Sequence, residues 1–220
     1  MEARDDRITD IAQVQENAYL TEIEANCRMF IEARVRLNVQ LLNAPGGPAD
    51  DALLRRIRLW AFESWGAAYT MIEAARRIVR VLWEVPGCKQ VRMKYGLNPS
   101  VSFQRERICA LRDALEHTES RIPKFVSHHD HADLSGWGVS NNPDEKDDPT
   151  QLRFRYLNLA TGDCFVEDED GRHALNLFQL ERAIRGILLA LPHSIGGSRN
   201  VLHVPPESGS MGYRISPPDP

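Results

Sequence analysis

The chain has 220 residues, 42% hydrophobic and 26% charged, with a formal net charge of −4. That length can bury a sizeable core, and the balance is that of an ordinary globular protein. The small negative total argues against a protein that coats nucleic acid. The charged N-terminus and the lack of a long apolar run argue against a signal peptide or a membrane span, so a cytoplasmic protein is expected.

Residues from about Asp6 to Leu42 read as one long helix, with Ile8, Ile11, Tyr19, Ile23, Phe30, Ala33, Leu37 and Leu41 on one stripe. Asn43-Ala44-Pro45-Gly46-Gly47-Pro48 breaks it and makes a turn. A second helix is expected from about Ala49 to Trp83, capped by Asp50 or Asp51. Its stripe runs from Leu53 through Ile57, Trp60, Ser64, Ala68, Met71, Ala75 and Ile78 to Leu82. Two long helices joined by a short turn must lie antiparallel. Phe62, Trp65 and Tyr69 fall partly off the stripe, a surplus apolar surface expected to be core with part of it at a dimer contact.

Val85 to Pro99 reads as a loop in which Lys89, Arg92, Lys94 and Tyr95 interleave. A third helix is expected from Ser102 to Ile122, capped by Ser102 and ended by Pro123. Between residues 50 and 112 there are twelve Lys/Arg against six Asp/Glu, and between 113 and 150 three against nine. A switch from +6 to −6 therefore falls within this helix.

Beyond Lys124 the character changes. His128-His129-Asp130-His131 is dense in ligand-type side chains, but no second cluster completes a metal set, and a solvated loop is expected. Gly136 to Thr150 is turn-rich and acidic and reads as a loop. Leu152 to Leu159 alternates as a strand does, and Cys164-Phe165-Val166 is a second strand across a Thr161-Gly162-Asp163 turn. Asn176 caps a last helix through about Leu191, with Gln179 three residues on. From Pro192 the Gly, Ser and Pro content reads as a loose tail. Cys27, Cys88, Cys109 and Cys164 are scattered, as expected of reduced thiols.

The expected class is mainly α: an antiparallel helical bundle with two long helices, plus a small β-hairpin or meander near the C-terminus. Its parts are a bundle over residues 1–126, a flexible acidic loop over 127–151, a hairpin and closing helix packed on the same bundle over 152–192, and a tail over 193–220.

Chemistry concentrates in Arg112-Asp113-Ala114-Leu115-Glu116-His117. Residues four apart face each other on a helix, which pairs Arg112 with Glu116 and Asp113 with His117. The second pairing would set the imidazole tautomer and raise its pKa. Arg112 and His117, five apart, are separated by about 140° around the axis.

This hexapeptide resembles the signature of the HEPN superfamily, in which Arg, a polar residue and a short spacer precede a His late in a bundle helix. The resemblance implies a metal-independent endoribonuclease, without cofactor, in a toxin, defence or RNA-processing setting. His117 would move protons, Arg112 would hold the phosphate and Asp113 would orient the histidine. It implies a homodimer in which two such pairs meet, RNA as substrate, and an antitoxin or other regulatory protein as partner. Arg105, Arg107, Lys89, Arg92 and Lys94 are the basic flank expected to touch substrate. Some members of the superfamily are instead binding modules without catalysis, and a structural helical dimer is a third outcome.

Overall fold

A computed structural model describes residues 2–97, 103–117, 135–145, 153–168 and 171–192. Helix α1 spans Glu2–Leu42 and helix α2 spans Asp51–Val79. The Asp50 carboxylate accepts from the Leu53 amide at 2.6 Å and starts α2 as the sequence predicts. The two helices pack against each other as an antiparallel pair. Leu20, Ile23, Cys27, Phe30 and Leu37 of α1 bury against Ala68, Met71, Ile72, Ala75, Ile78 and Val79 of α2. Each large apolar side chain so buried stabilises the fold by roughly 1.5–3 kcal/mol.

Helix α2 runs without a break into a π-helical turn, Arg80–Glu84. Its wider ring closes where the Val85 amide donates to the Arg80 carbonyl at 3.1 Å. A short helix follows, α3 at Cys88–Lys94, where a loop was expected. Its Cys88 and Val91 are buried, so tertiary packing makes a helix of a stretch whose local pattern is weak.

Helix α4 spans Arg105–Glu116, within the expected Ser102–Ile122, of which residues 118–122 lie outside the described residues. Gln104 stands at its N-cap with φ of 46° and makes no side-chain cap bond, while the expected cap, Ser102, lies outside the described residues. Phe103 anchors this end by stacking on Trp83 of the π turn, ring centroids 5.6 Å apart. Ile108, Leu111, Ala114 and Leu115 form the buried stripe of α4.

Four strands make one sheet in the order β1-β2-β3-β4: Ser135–Ser140, Arg153–Asn158, Asp163–Asp168 and Gly171–Asn176. The last three form the antiparallel meander read from the sequence. Strand β1 corrects the expected acidic loop over 127–151, because Ser135–Ser140 pairs in parallel with β2. Helix α5, Leu177–Ala190, begins where the Asn176 side chain accepts from the amides of Phe178 and Gln179. It packs on α1, with Arg34 bonded to Glu181 at 3.1 Å and stacked 3.8 Å from the Phe178 ring. The helices and the inner face of the sheet share one core. Among the described residues no helix is long and apolar enough to cross a membrane.

Candidate functional site

The outward face of α2 near its C-terminal end meets α1, α4 and the π turn at a groove of about 720 Å³. Glu22 comes from α1, Glu73, Arg76 and Arg77 from α2, Arg80, Val81, Glu84 and Val85 from the π turn and its exit, and Arg112 from α4. Among the described residues four arginines thus face three carboxylates. The described lining carries one more arginine than carboxylates, a small local surplus of positive charge.

Arg112 is the hub of that pairing. Its Nε donates to Glu73 at 3.2 Å, and its guanidinium also contacts Glu116 one turn on and Asp113 at 3.7 Å. Glu73 accepts in addition from Arg77 at 3.1 Å, and Arg76 donates to Glu84 at 2.8 Å. Burial pushes the Glu73 carboxyl up, but bonds from Arg77 and Arg112 outweigh it and hold the carboxyl below its usual range. Partial burial works against the Arg76 charge, and the Glu84 carboxylate more than restores it. Arg80 is exposed at the rim.

The expected Arg112–Glu116 pair is therefore present. His117 is the exposed C-cap residue of α4, its backbone N–H donating to the Asp113 carbonyl at 3.1 Å. Asp113 is exposed beside Arg112 on the same helix. Of the described residues singled out from the sequence, Arg112 alone lines the groove.

The expected basic flank is dispersed. Arg92 donates to the Leu82 carbonyl at 3.3 Å and lies 5.4 Å from the Trp83 ring, and Arg105 covers the same ring at 5.6 Å. These two guanidinium groups and one indole make a cation–π cluster behind the π turn. Lys94 is tied to Glu16 of α1 at 2.8 Å, and Tyr95 donates to the same carboxylate. Arg107 reaches Gln104 at 3.3 Å, and Lys89 is exposed on α3. The residues that sequence reasoning passed over are Arg76, Arg77 and Arg80. Their signal was the basic run at the end of α2, which looks the same as a solvated helix face until α4 closes on it.

Among the described residues no cluster of three His, Cys, Asp or Glu side chains is placed to hold a metal ion. His128-His129-Asp130-His131 lies outside the described residues. Comparison with protein-family models, with curated proteins and with solved structures found no match for this chain.

Proposed function

We propose that this protein is a HEPN-like endoribonuclease that grips single-stranded RNA by its phosphates. The observation that carries the proposal is the position of Arg112, set into the wall of a groove with Arg76, Arg77 and Arg80. An arginine of the motif thereby gains three basic neighbours that the hexapeptide itself does not supply. Planar guanidinium groups match phosphate oxygens in pairs, as lysine does not.

In the reaction, a base takes the proton of a ribose 2′-hydroxyl and that oxygen attacks the adjacent phosphorus. The bond to the 5′-oxygen then breaks, and that oxygen leaves with a proton, giving a 2′,3′-cyclic phosphate. His117 is assigned the proton transfers and Arg112 the charge that develops on the phosphoryl oxygens. Asp113, on the exposed face of the same helix, is assigned the orientation of the imidazole. His117 is not among the residues that line the groove, and the reading therefore takes the histidine for each phosphate from a second copy of the chain. A homodimer that brings a second histidine to each groove completes the site.

Cleavage of single-stranded RNA by pure protein in excess chelator tests this reading. His117→Ala should abolish turnover with the fold intact, and Arg112→Lys should impair it. Equal rates in wild type and His117→Ala would overturn the catalytic assignment. A second reading, a phosphate-binding module without turnover, is favoured by the carboxylates already bonded to Arg112. Under it RNA binds the groove, Arg76→Ala and Arg80→Ala weaken that binding, and no cyclic phosphate appears.

A further inference from the structure

The groove is one end of a longer feature. Counting about 100° per residue along α2, Arg55, Arg58, Leu59, Phe62, Gly66, Tyr69, Glu73, Arg76, Arg77 and Arg80 fall within a sector roughly 100° wide. This outward stripe covers about 37 Å of helix. Its two ends are basic and its middle is aromatic. Phe62 is 68% exposed and Tyr69 is 40% exposed, whereas Trp65, one step around the helix, is 3% exposed and belongs to the core. Leu59 is also largely exposed.

Gly66 lies between the two exposed rings. It sits inside a regular helix without a positive φ, and among the described residues a Cβ built on it would meet nothing within 4 Å. Neither backbone conformation nor packing among the described residues calls for glycine there, and in a helix interior it costs roughly 0.5–1 kcal/mol relative to alanine. What it provides is a flat saddle where a rigid surface can rest on the helix backbone between two aromatic walls.

We propose that this stripe is a base-stacking subsite: a single strand lies along α2, its bases on Phe62 and Tyr69 across Gly66, its phosphates running into the groove of Arg76, Arg77 and Arg80. The assignment rests on the RNA reading above. Continuity with the groove and the charge of both ends select the occupant. A second copy is the other obvious cover for exposed aromatics. An antiparallel crossing of two α2 helices at Gly66, however, would set Arg55 of one against Arg77 of the other, with Glu73 already engaged by Arg77 and Arg112. A polyanion meets those same arginines with the right sign, and aromatic faces accept any base.

Fluorescence anisotropy of the full-length protein with a labelled single strand of roughly a dozen nucleotides, and with a duplex of the same sequence, tests this. Phe62→Ala and Tyr69→Ala should each weaken single-strand binding roughly 5- to 150-fold while duplex binding stays as it was. Gly66→Gln should weaken it too, without lowering the melting temperature, because glutamine is a better helix former. Unchanged single-strand affinity in these variants, or equal losses for strand and duplex, would overturn the subsite. So would a dimer in sedimentation that Phe62→Ala dissociates, since a second copy would then own the face. The two proposals fail separately. Stripe-dependent binding without cleavage leaves the subsite and removes the nuclease, whereas cleavage indifferent to Phe62 and Tyr69 does the reverse.

Discussion

Arg112 of α4 donates to Glu73 of α2 at 3.2 Å, and this bond crosses the floor of the arginine groove. It both holds α4 on α2 and sets aside the one motif residue that reaches the groove. Glu73 thus acts as an internal stand-in for an anion, and a phosphate entering the groove competes with it. In Glu73→Gln the lining changes from four arginines against three carboxylates, +1, to four against two, +2. Affinity for single-stranded RNA should rise roughly fivefold, the effect of removing about 1 kcal/mol of repulsion, the value for charges about 4 Å apart in water-like surroundings. Titration at two salt concentrations checks it, and the gain should shrink at the higher one.

The same carboxylate gives a pH signature. Its folded value is depressed, so its contribution to stability is fully present above the ordinary value of 4.5 and is lost as pH falls through the folded value. The contribution is under about 1 kcal/mol, since the pair is partly exposed. Melting temperature measured from pH 6 down to acid should fall below the ordinary carboxylate value, and less steeply in Glu73→Gln.

Gly162 is a position where glycine is required twice over. Its φ is +78°, and a Cβ there would lie 2.5 Å from Cδ1 of Phe178, whose ring carries Arg34 on its face. Gly162→Ala should destabilise by about 2 kcal/mol or more, through the left-handed backbone and the displaced ring. Urea unfolding monitored by circular dichroism reads this directly.

Asn176 joins the sheet to the last helix. Its side-chain oxygen caps α5, while its amide nitrogen donates to the Thr161 carbonyl at 3.1 Å and to Asp163 at 2.7 Å. Asn176→Ala should cost about 1–2 kcal/mol in the same unfolding experiment, and Asn176→Asp should recover the cap but not the two donated bonds.

The parts of the fold governed by local chemistry were legible. Asp50 and Asn176 cap the helices that their positions announced, and the alternation of Arg153–Asn158 became a strand. Strand β1 was not legible because Gly136-Trp137-Gly138 has no alternation of its own. Its extended form comes from hydrogen bonds to β2, more than a dozen residues away. The site divides the same way. Arg112 and its Glu116 partner follow from helical spacing, whereas the grouping of Glu22, Arg76, Arg80 and Arg112 needs three helices in contact. Lys94 shows the converse: basic and well placed in sequence, it is spent on Glu16 of another helix.

The π turn at Arg80–Glu84 carries one residue more than an α-helical ring would hold. The end of this turn is rotated by up to about 100° relative to an uninterrupted helix. That rotation presents Trp83 to Phe103 and returns Glu84 to Arg76. Deleting a single residue between Arg80 and Glu84 would let the segment relax to an ordinary helix with better local hydrogen bonding. The indole would then leave its ring partner, and the carboxylate would leave the groove rim. At this point the chain gives up regularity to keep its phase, so a one-residue change in length is harsher here than most changes of side chain.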